Sequence, residues 1–172
     1  MNELIPRMIR AIRLDATLFE ETEHDPGAMA QAVVVVLWAA IAGGVGRYDM
    51  DGLGALFSGM VWALVSWTIW AGLIAFVGTT FLKGPNTRSD IGEVMRVLGF
   101  AAAPGIIRLL GIIPFFGFFF YYVGTFWMLL ATIIAVRQAL DYDSTARAAL
   151  VCLGAFVPFV ILQILLPLRL FY

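Results

Sequence analysis

Few residues in this chain could carry chemistry, and their types and spacing restrict what that chemistry is. Histidine occurs once, at His24, and cysteine once, at Cys152. A lone histidine cannot build a multi-histidine metal site, and a lone cysteine forms neither an intrachain disulfide nor a thiolate metal cage. The densest polar constellation is Phe19-Glu20-Glu21-Thr22-Glu23-His24-Asp25-Pro26. Glu20 and His24 would share a helix face, and oxygen-rich clusters can hold a divalent cation. The spacing matches no known cage, so the run reads as a solvated helix end stopped by Pro26-Gly27. No catalytic set, metal or cofactor is expected. The remaining candidate is Arg108, a single charge well inside an apolar stretch.

The elements that must position these residues follow from composition. Hydrophobic residues make up 62% of the 172-residue chain and charged residues 13%, against roughly 45–50% and 25% in soluble domains. A soluble chain this short could not hide so much apolar surface. The mean hydropathy of +0.92 agrees, and the chain reads as an all-α integral membrane protein. Eleven basic and twelve acidic residues leave no basic field for nucleic acid. The expected partners are the lipid bilayer, other membrane proteins and further copies of the chain.

Apolar stretches fall at 28–46, 54–82, 97–113, 115–136 and 148–168. A span needs about 20 residues, so 97–113 is at the lower limit, and 54–82 is overlong and must tilt or protrude. Gly111-Ile-Ile-Pro114-Phe-Phe-Gly117 is a connection so short that spans three and four must form a tight hairpin. The reading is five spans, with four spans plus one re-entrant hairpin as the competitor. The first run is expected to be an uncleaved anchor and not a leader, because six acids and three arginines precede it where a leader has a short basic region.

Residues 1–27 form a cytoplasmic amphipathic helix with an acidic linker, and 28–172 the transmembrane domain. Over 3–23, Leu4, Ile5, Met8, Ile9, Ile12, Ala16 and Phe19 recur at helical spacing, with Arg7, Arg10 and Arg13 between them. This is expected to be one interfacial helix, its arginines near anionic head groups or its apolar face on the ends of the spans. Trp62, Trp67, Trp70, Trp127 and the aromatics from Phe115 to Phe126 read as an interface belt. The pairs Ala39/Gly43, Ala40/Gly44, Ala42/Gly46 and Gly99/Ala103 are spaced by four, a pattern that lets helices approach closely in lipid.

The third span reads Leu98-Gly99-Phe100-Ala101-Ala102-Ala103-Pro104-Gly105-Ile106-Ile107-Arg108. With Gly99, Phe100 and Pro104 in a glycine-aromatic-x-x-x-proline pattern, the chain resembles the Yip family of Ypt/Rab-interacting five-span membrane proteins, above all its short bacterial members. Thr17-Leu18-Phe19-Glu20 leading to Asp25-Pro26, and Ser144-Thr145-Ala146-Arg147-Ala148 after the fourth span, fit as well. The resemblance implies a five-helix bundle with a cytoplasmic N-terminus, in a bacterial inner membrane. In eukaryotes it implies vesicle trafficking, small-GTPase interaction and membrane shaping. The long N-terminal region and the Asp-Leu-Tyr-Gly-Pro element of those members are not in this sequence.

The expected function is therefore a non-enzymatic membrane protein that organises or binds membrane components. The alternatives are a small transporter or channel with a site near the broken third helix, and an accessory subunit of a membrane complex. The candidate residues are Arg108, Pro104, Gly99, Phe100, Asp49 and Asp51. An arginine at mid-membrane costs roughly 2.5–3.5 kcal/mol on insertion scales. Ala101, Pro104, Gly105, Arg108 and Gly111 share one face, and Phe100, Ile107 and Leu110 project elsewhere. Arg108 then pairs with Asp49, Asp51 or the carboxylate after Tyr172, snorkels to lipid phosphate, or lines a substrate site opened by Pro104.

Orientation follows from basic residues. With five spans, one side carries Arg7, Arg10, Arg13, Lys83, Arg88, Arg96, Arg137 and Arg147, and the other Arg47, Arg108 and Arg169. Reporter fusions at residue 50 and at the C-terminus should report a non-cytoplasmic location, and fusions near 88 and 142 a cytoplasmic one. A cytoplasmic C-terminus would instead favour the four-span alternative.

Overall fold

The computed structural model of the protein describes residues 3–46, 53–85, 87–113 and 115–170, which are helical with no strand among them. The helices are α1 (Leu4–Ile12), α2 (Ala16–Glu23), α3 (Ala28–Gly46), α4 (Leu53–Phe76), α5 (Ile91–Ala101), α6 (Gly117–Ala139) and α7 (Thr145–Leu170). A π turn at Val77–Phe81 prolongs α4, and a 3-10 stretch at Ala103–Ile112 prolongs α5. Among the described residues, five helices are long and apolar enough to span a membrane: Ala28–Val45, Gly54–Phe81, Ile91–Ile112, Gly117–Ala139 and Thr145–Leu166.

The third span starts at Ile91 instead of near Val97, and the reason is a capping box. Asp90 accepts from the Glu93 backbone N–H at 2.9 Å, and the Glu93 carboxylate accepts from the Asp90 N–H at 2.9 Å. Two orphan donors are satisfied reciprocally, so charges that resemble a connector belong to the first turn of α5. The span then changes character at Pro104. Proline cannot donate to the preceding turn, and the chain continues with bonds such as Gly105 N–H to the Ala102 carbonyl, 2.9 Å. A 3-10 stretch rises about 2.0 Å per residue.

The single helix expected over 3–23 is two helices. Leu14 takes a left-handed conformation, φ 60°, while the Leu14 and Asp15 N–H groups close the end of α1 on the Ala11 and Arg10 carbonyls. Asp15 then caps α2 by accepting from the Thr17 N–H at 3.0 Å. Arg10 locks the corner, bonding Asp15 at 2.7 Å and Glu21 at 2.6 and 2.9 Å. Arg7 bonds Asp25 at 2.9 Å and Gln31 at 3.3 Å. These two arginines meet the chain's own carboxylates instead of the head groups expected for them, and Arg13 is exposed.

The buried core lies mostly in the half of the bundle nearest α1 and α2, here the proximal half. Val35, Ile74, Val94, Val97, Phe100, Ala135, Val136 and Val151 are fully buried there. Gly99 is where α5 meets α3, and a Cβ on it would overlap Ala32, so close approach accounts for the glycine. The proximal connectors are stitched together. Thr87 donates to the Leu140 carbonyl at 2.8 Å, and the buried Tyr142 hydroxyl shares its single proton between the carbonyls of Gly78 and Leu82, 3.0 and 2.8 Å away. Those carbonyls belong to the π turn and the residue after it, where helical bonding is irregular.

Leu18, Phe19 and Thr22 of α2 are fully buried, as are Leu4, Met8 and Ala11 of α1 to within 7%. Ile5 and Ile9, on the neighbouring stripe, are 60% and 45% exposed. Trp127 does more than line a belt, since its indole N–H donates to the Ile12 carbonyl at 2.8 Å. The docking face of α1 is therefore Leu4-Met8-Ala11. Met8→Ser should make residues 3–14 labile to protease, at a cost of roughly 2–5 kcal/mol for emptying a buried site. The double change Ile5→Ser with Ile9→Ser should leave protection at the parent level, and labile behaviour there would place docking on the other stripe.

Candidate functional site

Two polar groups stand out: Arg108, within the third span in the distal half, and Glu23, buried in the proximal half. Arg108 sits in the 3-10 stretch, on the turn after Pro104 and Gly105, both of which are buried. A Cβ on Gly105 would come 2.7 Å from the Met128 sulfur and 3.2 Å from the Ala39 Cβ. Glycine there lets the 3-10 stretch press against both α6 and α3. Gly124 does the same from α6, since a Cβ on it would lie 2.9 Å from Arg108 Cγ. The arginine side chain runs across this bare backbone.

Its guanidinium then meets α6 directly. Nη2 donates to the Thr125 hydroxyl at 3.0 Å, and that hydroxyl donates to the Tyr121 carbonyl at 2.7 Å. The guanidinium carbon lies 5.0 Å from the centre of the Tyr121 ring, within range of a cation–π attraction. Nη1 points toward α3, where it would lie 3.6 Å from a Cβ on Gly43. Tyr121 and Thr125 are four and eight residues into α6, about 6 and 12 Å from its start at 1.5 Å per residue.

Beside Arg108 is a cavity of about 430 Å³ between α3 and α4. Ala39, Ala40, Gly43 and Gly44 form one wall, and Ala55, Leu56, Gly59, Met60, Trp62 and Ala63 the other, with Arg108 and Tyr121 also on the lining. Nothing lies within 4 Å of where a side chain would begin at Gly44 or Gly59. The small-residue pairs thus have two outcomes. Gly99 packs tightly against α3, whereas Ala40/Gly44 border open space.

Of the sequence-derived candidates, Arg108 reaches the cavity and Pro104 lies one turn before it, buried. Gly99 and Phe100 are in the proximal core and do not touch it. Asp49 and Asp51 lie outside the described residues, as does the carboxylate after Tyr172. Thr125 and Gly124 were not anticipated, and Gly43 was read as half of a close-packing pair with Ala39. The available signal was the Gly124-Thr125 pair within an apolar span.

The acidic run is dispersed. Asp25 pairs with Arg7 and Glu21 with Arg10, Glu20 accepts from Gln138 at 3.3 Å, and His24 Nδ1 is 3.0 Å from the Glu20 carbonyl. Arg10 holds Asp15 down at about 2 by hydrogen bonding to its carboxylate. Among the described residues no three His, Cys, Asp or Glu side chains are placed to share a metal. Glu23 is different. It is 3% exposed, its carbonyl accepts from Arg96 Nε at 3.0 Å and also from Nη2, and its Oε2 has no hydrogen-bond partner.

The arrangement defines a polytopic helical membrane protein in which Arg108, within the third span, borders a cavity between α3 and α4. Comparison with known families then places it: the Yip1 domain family matches residues 15–166, and the chain belongs to that family. The match takes in α2 as well as the five spans. No curated protein and no solved structure matches the chain.

Burial pushes the Glu23 carboxyl up to about 7, with Asp141, Glu20 and Glu93 adding to the shift and His24 opposing it. The native state thus keeps its proton over a range where the unfolded chain, near 4.5, has lost it. The contribution of Glu23 to stability is fully present below about pH 4.5 and is lost as pH rises toward 7, by up to about 3 kcal/mol at 1.36 kcal/mol per unit. Glu23→Gln cannot ionise. Its melting temperature in detergent should be nearly flat from about pH 5 to 8 and should exceed the parent's at the alkaline end. Superimposable profiles would show that Glu23 does not ionise on unfolding.

Proposed function

We propose that this Yip1-domain protein is a non-enzymatic membrane protein that binds other membrane components laterally, beside its first two spans. The observation that supports this reading is the placement of the cavity. All of its lining belongs to the distal ends of α3, α4, the 3-10 stretch and α6, while the proximal half is filled by fully buried Val35, Ile74, Val97 and Val136. A transport route needs polar groups leading through the membrane. A one-sided groove with a single cation suits holding a partner better than passing a substrate. The reading places the protein in a bacterial inner membrane with α1 and α2 on the cytoplasmic side, consistent with the distribution of basic residues.

A photoactivatable side chain at Gly44, facing the groove, can be compared with one at Leu153, which is 65% exposed on α7. In intact membranes the Gly44 probe should give discrete adducts of one lipid class or one protein, and the Leu153 probe diffuse lipid labelling. Diffuse labelling at both positions would remove the groove as a binding surface.

A further inference from the structure

Helix α1 carries two apolar stripes, and the protein uses one of them internally. Leu4, Met8 and Ala11 are buried against the bundle, whereas Ile5 and Ile9 are exposed and Ile12 is half-buried. Ile5, Ile9 and Ile12 are spaced by four and by three, so they form one row on the outer face of the helix. We propose that this row is a lipid-binding surface seated against the acyl chains of the proximal leaflet, with α1 lying beside the spans inside that leaflet and not on their ends.

Two contacts fix the depth of α1. The Ile12 carbonyl accepts from the Trp127 indole N–H at 2.8 Å. Trp127 is twelve residues from the proximal end of α6 at Ala139, about 18 Å along the axis at 1.5 Å per residue. On the third span α1 packs against α5 and the 3-10 stretch. That stretch begins at Ala103, twelve residues from the start of α5 at Ile91, again about 18 Å. These two spans are 22 and 23 residues long, so both markers place the end of α1 well inside them. A helix resting on the span ends would meet neither. Phe126 and Trp127 are themselves exposed on the surface that α6 turns to lipid, and the row on α1 continues that surface.

The charges of the α1–α2 hairpin are arranged for such a place. Arg10 is bonded to Asp15 and Glu21, and Arg7 to Asp25, the mutual pairing that ionisable groups adopt near hydrocarbon. These pairs leave Ile5, Pro6 and Ile9 on the outer face. Arg13 follows the row, and its stem is long enough to carry the charge to the head groups. Behind the hairpin, Ala131, Ala135, Val136 and Ala139 of α6 are fully buried. Helix α2 packs along that part of α6, and Gln138 donates to Glu20 at 3.3 Å. The hairpin thus takes the place of lipid against the proximal part of α6 and turns its own apolar row outward. An interfacial helix buries such a row about 5–10 Å into the boundary between head groups and acyl chains.

The test uses full-length protein reconstituted in vesicles of phosphatidylcholine and phosphatidylglycerol. Cys152→Ala removes the chain's one cysteine, so that a single introduced thiol carries an environment-sensitive fluorophore. Ile5→Cys and Ile9→Cys are compared with Lys83→Cys, exposed in a proximal connector, and with Leu153→Cys, exposed on α7. Both α1 positions are exposed, so their labels leave the Leu4-Met8-Ala11 face intact, and each position reads the environment independently. Phospholipids spin-labelled near the top of the acyl chain should quench the Ile5 and Ile9 labels as strongly as the Leu153 label and leave the Lys83 label bright. Aqueous iodide should do the reverse, quenching the Lys83 label alone. Iodide quenching at Ile5 and Ile9 equal to that at Lys83 would put the row in water. Shielding of both positions from both quenchers would mean that a second copy or another protein covers it. Either result overturns the proposal. These readouts do not involve the groove, so their failure is separate from diffuse labelling by the Gly44 photoprobe.

Discussion

Inside a bilayer no water replaces a missing backbone partner, so Pro104 in the middle of a span is the constraint from which the distal half follows. The α-helix stops at Ala101 and the chain goes on in 3-10 bonding, which satisfies donors over a shorter step and turns its side chains through a different angle. Interruptions of this kind persist in membranes where neighbouring helices press close. Here they do so through glycine: Gly105 against Ala39 and Met128, and Gly124 against Arg108. The third and fourth spans become one tightly joined hairpin. With α3 drawn to its surface at Ala39, space remains between the distal ends of α3 and α4.

The proximal half solves the same problem by other means. Its irregular points are the π turn at Val77–Phe81 and the connectors around 84 and 142. Each is covered by a side chain from another element: Tyr142 on Gly78 and Leu82, Thr87 on Leu140, and Arg96 on the Thr22 and Glu23 carbonyls. Stability is distributed accordingly, because regions dense in buried contacts and internal bonds open least. One half is a stapled core, and the other keeps a cavity bordered by glycine and alanine. Glu23 belongs to the first half, where an unpartnered carboxyl is tolerated by holding its proton.

The five spans and the class of fold were legible in composition and apolar length alone, since few other structures bury so many hydrophobic residues. Boundaries were less so. Glu93 and Arg96 mark Ile91–Arg96 as a connector by charge, and the reciprocal bonding of Asp90 and Glu93 that makes it helix is visible only as a pair. The break at Leu14 had no signal in residue type, since leucine is a strong helix former. It arises from Asp15 capping α2 and from Arg10 bridging to Glu21, two interactions that need the corner to exist. Arg108 could be singled out as a charge inside an apolar stretch. Thr125 and Tyr121 could not be matched to it, because partners across an antiparallel hairpin share no fixed spacing.

The way Arg108 is held bears on what it is for. An arginine whose sole task was to reach water would be served by extending along its own helix toward the nearer end of the span. This one is turned sideways. Gly124 leaves room for its methylene groups, Thr125 fixes one edge of the guanidinium, and the Tyr121 ring covers a face. Three features of a neighbouring helix thus agree on a single orientation, which aims the charge at the wall formed by Gly43. Alanine at position 124 would yield a better helix but would come 2.9 Å from Arg108 Cγ, whereas a Cβ at Gly43 would make ordinary contact at 3.6 Å. Glycine at 124 ties the fold of the hairpin to the placement of the cation, because the same close approach that repairs the break at Pro104 sets Arg108 beside the space between α3 and α4.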